Sequence, residues 1–416
     1  MQGLCKIILL CALVALTLFS CARTPVQSPP EPAAQSPIPS QPQPDLPPME
    51  QPARYEPSHP LTPQETVKAY FAQQYQSYTA MSYTDLGAIV DYTRQGMKNA
   101  DIWLQTLLLR RRLIAEQGTC FVATKQLPYT VTFEEEPETD HLLRWQAGSA
   151  NPLEKDESSA LLHVRVTGQQ DACYPPMLAL NAQHTFVLFQ TDGVWKIVFH
   201  YYPGSVRRFE LGQQLTLPDE QQMRDALAKE FTVLSTPDEH TPPTGCAVYN
   251  GVRAAAYAQT YLVTKKRGFY RIGDWMGNCQ NFVSQCMWWG FSGGQPVSIA
   301  AYDNMTNRWY AGGGGGSPAW ENVGWFWDDV TRHKARSSAG VHGSVFTGAL
   351  QLRVGDIVQL CTGAPTEGEE EYHHSLIVVD EDTLLLAQNS PDCLVYYSDL
   401  IQTATRYFRP AYLIEK

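Results

Sequence analysis

The sequence predicts an α+β protein in two folded parts, and three observations carry that prediction. Helical spacing is confined to residues 62–116, strand-like alternation follows between residues 129 and 199, and a second helix-then-strand succession begins near Tyr249. At 416 residues, 44% of them hydrophobic, the chain is longer than one core usually organises and apolar enough to build two.

Behind Lys6, residues 7–19 form an apolar stretch too short to cross a bilayer comfortably as a helix, and it ends at Ser20-Cys21. Residues 1–21 therefore read as a signal peptide. The ending Leu18-Phe19-Ser20-Cys21 resembles a bacterial lipobox, in which the cysteine becomes the lipid-modified first residue of the mature chain, although Phe19 is bulkier than usual at its position. The expectation is an extracytoplasmic protein anchored to the bacterial cell membrane through a lipid on Cys21, with simple secretion as the alternative. Residues 22–61 are dominated by Pro, Gln, Ser and Ala and read as a stiff, extended linker.

Residues 62–235 form the first predicted domain. Thr62-Pro63-Gln64-Glu65 is a helix-start signature, Val67, Tyr70, Phe71 and Tyr75 follow at helical spacing, and a second helix is expected over residues 97–116. Runs at 129–133, 161–166, 184–189 and 195–199 read as antiparallel strands, with Asp192-Gly193 turning between the last two. That last hairpin, with Trp195 opening its second strand, loosely resembles the close of a cone-shaped NTF2-like domain, which implies a binding or spacing module. His163, His184 and His200 read as ordinary strand residues. A connecting helix is expected over residues 219–231, and a proline-rich stretch up to Thr244 is the boundary to the second domain, residues 244–416.

The net charge of −11 and the lack of dense basic runs beyond Arg110-Arg111-Arg112 and Lys265-Lys266-Arg267 argue against a nucleic-acid partner. Glu134-Glu135-Glu136 and Glu369-Glu370-Glu371 lack the spacing of a calcium loop. Of ten cysteines, the three at positions 5, 11 and 21 lie in the leader region; the remaining odd number leaves at least one thiol unpaired. Cys120 with Cys173 and Cys361 with Cys393 are possible pairs within shared domains. No Cys-x-x-Cys supports a zinc site, and neither a metal nor another cofactor is expected.

The chemistry concentrates in the second domain. An Ala-rich helix is expected over residues 250–261, and Cys279, Phe282, Val283 and Cys286 recur at the spacing of a helix that faces a core. Gly277 and Asn278 suggest a turn and an N-cap, which places Cys279 in the first helical turn. There, unsatisfied N–H groups and the helix dipole lower a thiol pKa and can serve an oxyanion. Cys286 reads as a buried small hydrophobe. A thiolate nucleophile needs a base that also protonates the leaving amine; His374, opening a strand after Glu371-Tyr372-His373, is the candidate. A hairpin turning at Glu381-Asp382 would bring Asn389 beside it as an orienting amide. His373 with His374 as a metal pair is the competing reading, disfavoured because adjacent strand residues point to opposite faces. Gly312 to Gly316 is a plausible lid or cleft edge without a phosphate-loop lysine, and Trp320, Trp325, Trp327, Trp288 and Trp289 are candidates to line a groove.

The second domain resembles the putative amidase domain family of bacterial secreted proteins, allied to CHAP-type papain-like cell-wall hydrolases. The resemblance rests on the helix at 250–261, Cys279-x-Asn281-Phe282-Val283-Ser284-Gln285, Ser317-Pro318-Ala319-Trp320-Glu321-Asn322-Val323, Gly355-Asp356-Ile357-Val358-Gln359 and His374-Ser375-Leu376-Ile377-Val378-Val379, in that order. It implies a papain-like fold, Cys279 and His374 as the catalytic pair, and amide bonds of peptidoglycan or wall peptides as substrate. Asn278, Tyr249 and Trp320 are the further candidates for oxyanion or substrate contact. Asn278 stands where the family commonly has Asp, and Asn389 where a His often follows Gln. The rival expectation is a non-catalytic lipoprotein that binds wall or a partner, with a degenerate amidase domain.

Overall fold

The computed structural model describes residues 53–117, 125–135, 158–169, 172–202, 214–238, 240–262, 277–293, 305–312, 315–332, 335–361, 372–389, 391–402 and 404–415. Cys21 with the rest of the leader, most of the proline-rich stretch, Cys120, the Lys265 run and the Glu369 run lie outside these residues. Residues 51–416 form one compact unit with the helices and mainly antiparallel sheets of an α+β chain.

Ala53–Arg54 (β1) pairs in parallel with Thr84–Asp85 (β2) across the helix Pro63–Ala80 (α1). Thr62 Oγ1 accepts from the Glu65 N–H at 3.3 Å and the Glu65 carboxylate accepts from the Thr62 N–H at 2.8 Å, a capping box that starts α1 behind Pro63. Gln95–Ala115 (α2) follows, then Tyr129–Glu134 (β3), Ser159–Gly168 (β4), Gln183–Thr191 (β5) and Val194–Tyr201 (β6), paired in sequence order. Asp192 and Gly193 both have left-handed φ, 53° and 79°, as a two-residue turn between twisted strands requires. Val67, Phe71 and Tyr75 of α1 and Leu104 and Leu107 of α2 pack on Val164, Val166, Phe186, Leu188 and Ile197 of this sheet.

The strand histidines at 184, fully buried, and 200, half-buried, form a hydrogen-bonded relay beside that core. His184 Nε2 lies 2.9 Å from the Leu178 carbonyl, so it carries the proton and His184 Nδ1 must accept from His200 Nε2 at 2.9 Å. His200 Nδ1 is then left to accept from the Tyr70 hydroxyl at 3.3 Å. Burial pulls both imidazoles down, His184 to about 4, so the relay is neutral at physiological pH.

Glu220–Phe231 (α3), capped by Asp219, leads to Ala247–Val248 (β7), Gly251–Tyr261 (α4) and Cys279–Ser292 (α5). Ala311–Gly312 (β8) and Gly315–Gly316 (β9) pair as a small hairpin before Pro318–Glu321 (α6) and Val323–Thr331 (α7). Gly340–Phe346 (β10), Ile357–Cys361 (β11), His374–Asp380 (β12), Leu385–Gln388 (β13), Cys393–Tyr396 (β14) and Ala404–Ile414 (β15) complete the chain. They form one sheet in the order β10-β15-β11-β12-β13-β14, with β7 added beside β15.

Both faces of this sheet are covered. Ile357, Ile377, Val379 and Ala387 meet Ala254 and Ala258 of α4 and Phe282, Val283 and Cys286 of α5. Val358, Leu360, Leu376, Val378 and Leu386 meet Leu113 and Ile114 of α2 and Leu227 and Phe231 of α3. Two-sided burial is the reason these strands read as continuous apolar runs without alternation. Gly251 and Gly355 permit the approach of α4 to the sheet, since a Cβ on either would stand 2.1 Å from the Val354 oxygen or 2.3 Å from the Gly251 Cα.

Two residues of the basic triplet of α2, Arg110 and Arg111, are interior, while Arg112 is partly exposed and pairs with Glu220. Arg111 pairs with Asp399 across the junction with both side chains fully buried, its guanidinium lies 3.6 Å from the Tyr78 ring centre, and the Tyr78 hydroxyl donates to Asp399 at 2.5 Å. Arg110 forks onto Glu230 at 3.0 and 2.8 Å, and Glu230 also accepts from Tyr397 at 3.0 Å.

The suggested pairing of Cys361 with Cys393 is corrected: no disulfide joins them, and Cys173 is in none either. Strands β12 and β13 separate β11 from β14, so at about 4.8 Å per strand the two backbones are about 14 Å apart, roughly twice the reach of a disulfide. Cys173 instead donates to the Leu394 carbonyl at 3.5 Å, on the edge strand β14.

Candidate active site

Gly277, with φ 74°, turns the chain into α5, and Asn278 occupies the N-cap position at φ −130°, ψ 10°. Its side chain makes no capping bond. The first N–H groups of the helix are therefore not closed off by a capping side chain, and that of Gln280 acts to lower the Cys279 thiol pKa. Cys279 is the first residue of the helix, 8% exposed, with its sulfur 3.8 Å from the His373 carbonyl.

His374 opens β12, and its imidazole hydrogen-bonds to Cys279. Burial is the largest influence on the Cys279 thiol and pushes its pKa up. The hydrogen bond and charge of His374, with the N–H groups of Ser375 and Gln280, more than reverse that, so the thiol ends below its ordinary value. Cys286, two turns on along the same helix, shows the contrast: burial drives its thiol well up. His373 is exposed and His374 half-buried. Among the described residues no group of three or more His, Cys, Asp or Glu side chains is arranged to hold a metal ion.

His374 Nε2 lies 2.8 Å from Oε1 of Gln388, the last residue of β13. An amide oxygen only accepts, so Nε2 carries the proton and Nδ1 is left for the sulfur. The Gln388 amide nitrogen in turn donates to Cys393 Sγ at 3.1 Å. The amide on the imidazole is thus that of Gln388, and Asn389 has a different neighbour: its Oδ1 accepts from Asn278 Nδ2 at 2.7 Å. The strand register accounts for this. Gln388 pairs with Leu376, which shares a strand face with His374, whereas Asn389 falls on the opposite face.

Asn278 belongs to a chain of buried amides with one direction. Tyr257 donates to Gln285 at 2.9 Å, Gln285 to Asn281 at 3.3 Å, Asn281 to Asn278 at 2.8 Å, and Asn278 to Asn389. Trp320, fully buried, donates its indole N–H to Asn281 at 2.7 Å, so it holds this chain and lines no groove. Tyr249 is not brought to the site. Its hydroxyl donates to the Gly355 carbonyl at 2.8 Å and its ring packs on Gly290 and Phe291, about 16 Å along α5 from Cys279 at 1.5 Å per residue. Of the other tryptophans, Trp288 is in the core, Trp289 and Trp327 are half-buried, and Trp325 is 55% exposed.

Sequence reasoning passed over Gln388, Gln359 and the side chain of Ser375. A glutamine at the end of an apolar strand was the available signal for the first, since an amide there needs a polar partner.

Residues 248–409 match the family model described as "Putative amidase domain". No curated protein and no solved structure matches the chain. The matched span contains Cys279, His374, Gln388 and Asn389, and the match supports amide-bond hydrolysis by this part of the chain.

Proposed function

We propose, from the premise that residues 248–409 are an amidase domain, that the chain is a cysteine amidohydrolase of the bacterial cell wall, lipid-anchored through Cys21 outside the cytoplasm. The observation that carries the cysteine mechanism is a helix-start thiol held below its ordinary pKa, in spite of burial, by a histidine that is itself oriented by an amide. Placement outside the membrane is supported by the leader and the lipobox-like Leu18-Phe19-Ser20-Cys21, and a peptide-crosslinked wall is the abundant amide substrate there. The cysteine-bearing helix packed on an antiparallel sheet supports the papain-like reading, and α1 and α2 packed on the sheet β3–β6 support the NTF2-like one.

In this mechanism the Cys279 thiolate attacks the amide carbonyl carbon and forms a C–S bond. The negative oxygen of the tetrahedral intermediate collapses, the C–N bond breaks, and the imidazolium of His374 gives its Nδ1 proton to the departing amine. His374 then takes a proton from water, whose oxygen attacks the thioester and releases the acid and the Cys279 thiolate. Gln388 accepts from Nε2 throughout and keeps the ring in the tautomer that presents Nδ1.

The test is intact-mass analysis of the mature chain after brief iodoacetamide treatment at pH 6, with Cys279→Ser as control. An ordinary thiol is almost wholly protonated there. One fast adduct that the control lacks is expected; labelling no faster than that of the half-exposed Cys246 and Cys393 would sink the nucleophile assignment. Gln388→Leu is expected to lower turnover at least about tenfold, part of the 10²–10⁴-fold that acid–base catalysis contributes, and Asn389→Ala to lower it less. Equal losses in the two variants, measured on purified wall, would remove the special place given to Gln388.

A further inference from the structure

A second buried network, separate from the Asn278 chain, ends on the two residues that flank the reacting groups. Gln280 follows Cys279 and Ser375 follows His374; both side chains are fully buried, and the main chain of both helps to lower the Cys279 thiol pKa. Ser375 Oγ donates to Gln280 Oε1 at 2.6 Å. Gln359 of β11, also buried, reaches Gln280 Oε1 at 3.2 Å and Ser375 Oγ at 3.1 Å with its amide nitrogen, and the Val323 carbonyl at 3.1 Å.

The direction of these bonds is set from outside the cluster. Arg406 Nε donates to Gln359 Oε1 at 2.7 Å, and a guanidinium can only donate, so the Gln359 amide must turn its nitrogen toward Gln280 and Ser375. With its oxygen receiving those donors, Gln280 turns its own amide nitrogen to Ser284 Oγ at 3.2 Å. Arg406 is in turn fixed by two rings: its guanidinium carbon lies 4.2 Å from the centre of Trp327 and 4.0 Å from that of Tyr372, two residues before His374. None of these side chains touches the sulfur in this network, so their effect on chemistry runs through the main chain of Gln280 and Ser375.

We propose that Gln359 and Arg406 are positioning residues that, through Gln280 and Ser375, pin the start of the Cys279 helix to the strand that begins at His374 and so fix the two reacting groups against each other. The proposal rests on Cys279 being the nucleophile. Arg406 supplies the polarity of the network, Gln359 distributes it, and the Trp327 and Tyr372 rings hold the guanidinium in place.

The experiment is the rate of Cys279 alkylation by iodoacetamide as a function of pH, read by intact mass on the full mature chain, for the wild type, Gln359→Leu and Arg406→Lys. Lysine keeps the charge but has neither the Nε donor nor the flat face that two rings require. A rise of about one unit in the alkylation midpoint is expected in both variants, which is a roughly tenfold slower reaction at pH 6. If Gln359→Leu does not fold, half-buried Arg406→Lys carries the test alone, its circular dichroism and melting checked against the wild type. A folded Arg406→Lys with the wild-type midpoint overturns the proposal. A wild type that itself lacks fast labelling at pH 6 overturns the nucleophile assignment instead, so the two failures are distinguishable.

Discussion

Cys279→Ala is expected to lower wall-amide hydrolysis at least about 10⁴-fold while the folded chain loses about 1 kcal/mol of stability at most. The catalytic effect is large because no other described group near His374 is placed to form the acyl intermediate: His373 contributes its carbonyl, Ser375 Oγ is committed to Gln280, and Cys286 lies two turns deeper in the core with its thiol pushed up. The structural effect is small because one sulfur at a helix start is removed while the caps, the amide chain from Tyr257 to Asn389 and the cores remain. Cys279→Ser is expected to be as inactive, since a hydroxyl keeps the size but not the ionisation. In the wild type, protonation of the thiolate sets the acid limb of the rate profile. Because His374 and the main chain of Ser375 and Gln280 hold the thiol below its ordinary value in spite of burial, that limb lies on the acid side of where an unperturbed thiol would place it. Turnover of purified wall by Cys279→Ala, at more than a trace of the wild-type rate and at equal melting temperature, would end the cysteine mechanism.

How much of this was legible depended on the kind of signal each feature leaves. The helix that begins at Cys279 and the strand that begins at His374 were readable because apolar spacing and the preceding Gly277-Asn278 mark local structure. Which amide meets His374 was not readable. Residues 374–380 and 385–388 are apolar on both faces, and only alternation tells which side of a buried strand a residue occupies, so a register difference of one residue between Gln388 and Asn389 leaves no trace in the pattern. Distance in the sequence hid the rest. Gln359, Arg406 and Trp327 lie on three elements, and only the sheet order that places β15 beside β11 brings them to one amide. The Arg110-Arg111-Arg112 run was visible as charge, but the burial of Arg110 and Arg111 depends on acceptors as remote in sequence as Glu230 and Asp399. Tyr249 went the other way: it was a candidate for oxyanion or substrate contact, while the length of α5 carries it to the opposite end of that helix.

Arg111→Met is expected to destabilise the folded unit by about 3–5 kcal/mol, the range for breaking one half of a buried ion pair. Both side chains of the pair are fully buried, and Asp399 would be left with only the Tyr78 and Ser398 hydroxyls as donors. Burial already pushes the Asp399 carboxyl up against the pull of Arg111, Tyr78 and Ser398, so without the guanidinium it is expected to take a proton and not remain charged. The pair is a specific tie between α2 of the first helical part and the turn that follows β14 of the catalytic sheet, with Leu113, Ile114, Leu227 and Phe231 packed beside it. Loss of the tie is therefore expected to lower the urea midpoint of the whole unit while pH-6 labelling of Cys279 in the fraction that stays folded is unchanged. Replacing both partners, Arg111→Met with Asp399→Leu, is expected to recover most of the loss, because an apolar pair of similar volume leaves no uncompensated charge. A double variant no more stable than Arg111→Met alone would mean that the junction depends on the packing of the guanidinium against Tyr78 and not on the pairing of charge.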